Sequence, residues 1–191
     1  MPLTKFIHAI NDRLSGMISG IKLYGVAQSM ERNSGTVVET LPAVIDKSGE
    51  AVYVGLDDVH PAILYHKNTA INFSRGTGNS AGYGDQNGYV IAAYTMAMYL
   101  YLDHKRTNLL PDEAVLYIRA NFADLLKMEP YQRITPNITS VILNSAAVLR
   151  TEYVGSDFLI PPGRSLTQIN YTIESVYKND CFEKCPEVLT C

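Results

Sequence analysis

Residue types that do chemistry are sparse here, and the first to weigh is Asp57-Asp58-Val59-His60, with Asp103-His104-Lys105 as a second acid–histidine grouping. Alternate residues of an extended chain share a face, so Asp58 and His60 have the spacing of two metal ligands. A catalytic metal centre takes three protein ligands, and no third is assigned by the pattern. The plainer expectation is polar residues at loop ends. No G-x-S-x-G elbow occurs, and no helix carries paired carboxylates on one face. The cysteines, Cys181, Cys185 and Cys191, all fall in the closing segment CFEKCPEVLTC, with no histidine near them. Three thiols are short of a tetrahedral set. A tail bearing thiols is expected, with a local or intersubunit disulfide, or a zinc site shared between chains, as the sharper alternatives. Catalytic residues, cofactors and metals are all expected to be absent.

The run FSRGTGNSAGYGDQNGY (residues 73–89) raises a different chemistry. It holds Gly76, Gly78, Gly82, Gly84 and Gly88, five of the chain's 13 glycines. A phosphate loop of the G-x-x-x-x-G-K-[ST] type needs a lysine, and none lies between residues 68 and 104. The dinucleotide fingerprint needs G-x-G-x-x-G and a helix directly after. Here Gly82 comes one residue late and the following residues read as strand. A hairpin needs two to five linking residues. A connection of about 15 is long enough to project, and such loops usually bind something. The expectation is an arm that orders against a neighbouring subunit, with Gly76, Gly78, Tyr83, Gly84 and Tyr89 in the contact.

The elements that would carry this arm follow from periodicity. Phe6, Ile7, Ile10, Leu14, Met17 and Ile18 recur at helical spacing, predicting a helix over 3–20. Residues 24–36 break periodicity and read as a loop. ETLPAVID and EAVYVGL flank KSG and predict a hairpin, with Pro42 marking its first strand as an edge strand or an irregular one. Residues 61–74 and 89–102 read as strands, the second buried on both faces over part of its length. Pro111 to Lys127 predicts a helix with the stripe Val115, Ile118, Phe122 and Leu125. Ile138 to Tyr153 reads as one strand. Leu166 to Lys178 alternates cleanly, Ile169, Tyr171, Ile173 and Tyr177 against Gln168, Asn170, Thr172 and Glu174. The predicted fold class is α+β: a mostly antiparallel sheet flanked by two helices, with a long glycine-rich hairpin loop. One domain over 1–180 and a tail over 181–191 are expected.

Composition narrows the function classes. The chain has 191 residues, a net charge of −3, 18% charged residues, and 13 tyrosines against 5 phenylalanines. Basic and acidic residues are spread over both halves, so no basic stripe is present to neutralise a phosphate backbone. Low charge and many tyrosines suit a surface covered by partners. The longest apolar run, Tyr89 to Leu102, is too short to span a bilayer as a helix. The N-terminal segment lacks the apolar stretch of a secretion signal, and the sequons at Asn137 and Asn170 are discounted for that reason.

In element order, the segments LTKFIHAINDRL, AILYHKNTAINF with YVIAAYTMAMYLYLDHK, DEAVLYIRANFADLL, and the closing pair TSVILNSAAVLRTEY and LTQINYTIESVYK resemble the tail-terminator, tail-completion and neck ring proteins of tailed bacteriophages. The phrases YLYLDHKRTNLLPDEAVLYIRANF and LTQINYTIESVYKNDCFEKCP are also similar to virion proteins of phages infecting gut Bacteroidetes, crAss-like phages among them. The resemblance implies a non-enzymatic subunit of a homo-oligomeric ring joining head to tail. Twelve copies are favoured and six are the alternative. It implies as partners the portal or adjacent neck and tail rings, with genomic DNA passing through the lumen without specific binding. It implies no membrane, assembly in the host cytoplasm and residence in the virion. Loop 73–89 would be the intersubunit or inter-ring arm and segment 24–37 a second contact. The competing readings are a soluble protein-binding module or regulator without catalytic activity, and an enzyme built around Asp57, Asp58 and His60.

Overall fold

The computed structural model describes residues 2–33, 35, 37–75, 89–125 and 134–178. The chain runs α1 (Pro2–Met17), β1 (Lys22–Asn33), β2 (Val38–Ile45), β3 (Ala51–Tyr53), β4 (Ala62–Arg75), β5 (Tyr89–Asp103), α2 (His104–Thr107), α3 (Pro111–Leu125), β6 (Ile134–Ile142), α4 (Ser145–Glu152) and β7 (Arg164–Lys178). Seven strands form one sheet in the order β3-β2-β1-β4-β5-β7-β6. Only the β1–β4 pair is parallel; the other neighbours are antiparallel. The fold class is α+β with a mostly antiparallel mixed sheet, as its sequence pattern predicts.

Strand β5 is the spine, because its residues 96–102 are buried on both faces. Met96, Met98, Leu100 and Leu102 meet α1 and α3 through Phe6, Ile7, Ile10, Ile118 and Phe122. Ala97, Tyr99 and Tyr101 face the opposite way, onto Leu41 of β2, Val148 of α4 and Tyr153. Two apolar clusters therefore sandwich the sheet, one built on α1 and α3, the other on α4 and Tyr153. The helical stripe of α3 is Ala114, Ile118 and Phe122, with Val115 packed at its margin. The side chain of Leu125 lies outside the described residues.

Three expectations are corrected. Residues 24–33 are strand, not loop. β1 pairs through Lys22–Ala27 with Ile63–Lys67 of β4, then through Gln28–Asn33 with β2. An extra residue at Tyr24–Gly25 shifts its register against β4, which breaks the alternation that reveals strands. Ile138–Tyr153 is not one strand. β6 stops at Ile142, and Asn144 caps α4 by accepting from the Ala147 N–H at 3.2 Å. Nor is β2 an edge strand, since it lies between β1 and β3. The Pro42 carbonyl accepts from the Val54 N–H at 2.8 Å. Its missing N–H falls on that same side, where the β2–β3 ladder ends at Ala43 and Tyr53.

Candidate functional site

The acid–histidine grouping is a loop brace. Asp57 Oδ1 accepts from the backbone N–H of Val59 and His60 at 3.1 and 3.0 Å, and lies 2.9 Å from His60 Nδ1. Burial pushes the Asp57 carboxyl up, but the hydrogen bonds from the His60 ring and backbone outweigh it and hold the group below its ordinary range. Asp58 turns away to Arg164, and the Arg106 guanidinium donates to the Asp58 and Val59 carbonyls. The two carboxylates thus serve different partners. Among the described residues no group of three metal-ligating side chains converges. Asp103, of the second grouping, caps α2 through the N–H groups of Lys105 and Arg106 and pairs with Arg164 at 3.2 Å.

Two polar clusters, one buried and one part-buried and both unannounced by any motif, sit where β4 crosses the core. His66 Nε2 is 3.0 Å from Asn11 Oδ1 and its Nδ1 is 2.8 Å from the Tyr171 hydroxyl. Asn11 donates its amide to the Tyr24 carbonyl, so its oxygen must accept. That assigns the His66 proton to Nε2 and makes Nδ1 the acceptor of Tyr171 O–H. Burial lowers His66 to about 3, so the ring stays neutral. On the opposite face, Lys67 donates to Ser29 Oγ at 2.7 Å and to Glu152 Oε2 at 2.8 Å, and Tyr99 donates to Glu152 Oε1 at 2.8 Å. Burial, then the adjacent Glu152 charge, raises the Tyr99 phenol. Every strong donor and acceptor named here is matched by another, so both clusters join elements: the first ties α1 to the sheet, the second ties α4 to β4 and β1.

The exposed feature lies farther along β4. β1 leaves β4 after Lys67, and Val26–Ser29 and Lys67–Thr69 line an open cleft of about 600 Å3 there. Beyond it, Ile71 and Phe73 of β4 are 42% and 63% exposed. They pair with Tyr94 and Ala92 of β5, which are buried. The sheet thus continues past the point where β1 covers it. A bulge begins this stretch: Asn68 and Ala70 of β4 oppose Met96 and Thr95, leaving Thr69 extra, and its hydroxyl donates to the Thr95 carbonyl at 3.0 Å. β6 carries the same device, Thr139 being extra and donating to the Asn170 carbonyl at 3.2 Å. Both bulges touch one row across the sheet, Asn68–Met96–Tyr171–Ile138.

No protein-family model matches this chain, and no curated protein matches it in sequence. Of the sequence-predicted contact residues, Gly76, Gly78, Tyr83 and Gly84 lie outside the described residues. Tyr89 is described by its backbone, which opens β5 opposite Lys178. Segment 24–37, the second predicted contact, is β1 as far as Asn33 and ends just before β2 opens at Val38. The cysteine tail lies outside the described residues. No described helix is long and apolar enough to cross a membrane.

Proposed function

We propose that this chain is a structural subunit of a phage virion, one copy in a homo-oligomeric ring of the neck or tail that joins head to tail, assembled in the host cytoplasm. The portal or adjacent rings are its neighbours above and below, and the genome passes the lumen without specific contacts. The supporting observation is the outer half of β4. An ordered strand carries Ile71 and Phe73 into solvent past the core, and exposed apolar side chains on a rigid element are what a permanent partner covers. The low charge and tyrosine-rich composition fit the same use.

The test is solution mass by light scattering, wild type beside a variant with residues 76–87 replaced by a short Gly-Ser turn. A ring-sized wild type and a monomeric variant are expected. A wild type that stays monomeric when mixed with its portal complex would sink the reading.

A further inference from the structure

Past the bulge row the sheet narrows to four strands, β4-β5-β7-β6, whose two outer edges are β4 and β6. Among the described residues no strand pairs with either edge there. Unpaired edges are normally blunted by shortness, charge, proline or bulges. β3 is blunted by its length of three residues. β4 from Ala70 to Ser74 (AINFS) carries no charge, proline or glycine.

We infer that the outer half of β4 in one copy of this chain pairs edge to edge with the start of β6 in the next copy, making the ring one continuous sheet. The inference rests on the ring reading and names its contact. Strand direction carries it. Successive antiparallel pairs make β4 and β6 run in opposite directions. Copies placed head to tail without inversion then meet as an antiparallel pair, which continues the sheet's own order. The lengths match as well. Ala70–Phe73 and Ile134–Asn137 occupy the same four rows beyond the bulge row, and neither Ala70–Ser74 nor Ile134–Ile138 holds a charge to repel the other. Pro136 pairs with Ile173. Having no N–H, it occupies a position whose backbone groups point away from β7. Alternation turns the backbone groups of Ile134 and Ile138 to that same outer edge, so the edge offers two donors and three carbonyls. Recognition is through the main chain, with Ile71 and Phe73 flanked by cross-strand side chains of the neighbouring copy.

Disulfide trapping tests it. With the three native cysteines replaced by serine, Ala70→Cys, Asn72→Cys and Asn137→Cys are made singly, and each β4 change is combined with Asn137→Cys. Ala70 and Asn137 share one row and face, and Asn72 covers a shift of two residues. Opposed positions bring Cα atoms within disulfide range. The expected result is a ladder of covalent oligomers from at least one double variant, a covalent pair from the corresponding mixture of singles, and none from any single. Cross-linking of Ala70→Cys or Asn72→Cys alone would mean a two-fold β4–β4 contact and would overturn the inference. So would the absence of cross-links in protein that still has ring mass, which would leave the ring reading standing. Absence of both cross-links and assembly on the portal would remove both.

Discussion

His66 is enclosed by partners distant in the chain, Asn11 and Tyr171, 55 and 105 residues away. No local motif announces such a site, which is why the sequence shows a histidine and nothing of its role. Its burial has a measurable sign. Unfolded His66 takes a proton near its ordinary 6.5, whereas the folded ring resists down to about 3. The contribution of neutral His66 is whole above pH 6.5 and is lost as pH falls through that window. The slope is roughly 1.4 kcal/mol per pH unit once well below 6.5. Urea unfolding at pH 7 and pH 5 is expected to show this loss in wild type and a flatter response in His66→Gln. His66→Gln is also expected to be less stable at pH 7, by roughly 2 kcal/mol, as Tyr171 and Asn11 lose their matched partners. The Lys67–Glu152 pair gives a second prediction. Lys67→Met leaves a buried carboxylate with Tyr99 alone and is expected to destabilise by about 3–5 kcal/mol. Lys67→Met with Glu152→Met is expected to be less damaging than that single change, measured by the same denaturant titration.

The long elements were the legible ones. α1, α3 and β7 each hold a period over 15 or 16 residues, which averages out local noise, and β5 stands out as a long apolar run. β1 was hidden by its bulge and by its change of partner midway, since no single face stays buried along it. α4 was hidden because Val141, Leu143, Ala147 and Leu149 fall on one parity by coincidence, while the helix buries Val148. Asn144 was the available signal, an N-cap residue before Ser-Ala-Ala. Asn144→Ala is expected to lose about 1 kcal/mol by thermal or urea unfolding. The turn after α4 is more demanding. Gly155 has φ +75, and a Cβ there would stand 2.9 Å from the Val38 carbonyl. Its neighbour Val154 exchanges backbone hydrogen bonds with Thr40, which anchors β2 over Tyr153. Gly155→Ala is expected to destabilise by roughly 1–3 kcal/mol, and the loosened β2 to show as faster amide exchange at Thr40.

At the scale of the molecule, both apolar clusters are closed by the chain itself, and among the described residues nothing pairs with the two edges of the four-stranded extension. The glycine-rich segment that the sequence singles out connects β4 to β5 at that same end. Loop and open edge therefore belong to one region, though the sequence shows only the first. The edge is created by β1 departing after Lys67, a tertiary event that periodicity cannot report. A ring built through this region must be a closed integer set of identical copies. The decisive measurement is native mass spectrometry of the purified protein, alone and with its portal, paired with electron microscopy of the particles. A closed ring is expected, with a mass that is an integer multiple of 21.2 kDa, twelve copies being favoured over six, and Phe73→Lys is expected to disperse it. A protein that remains a monomer under both conditions, or a ring indifferent to Phe73→Lys and to loss of residues 76–87, would contradict it.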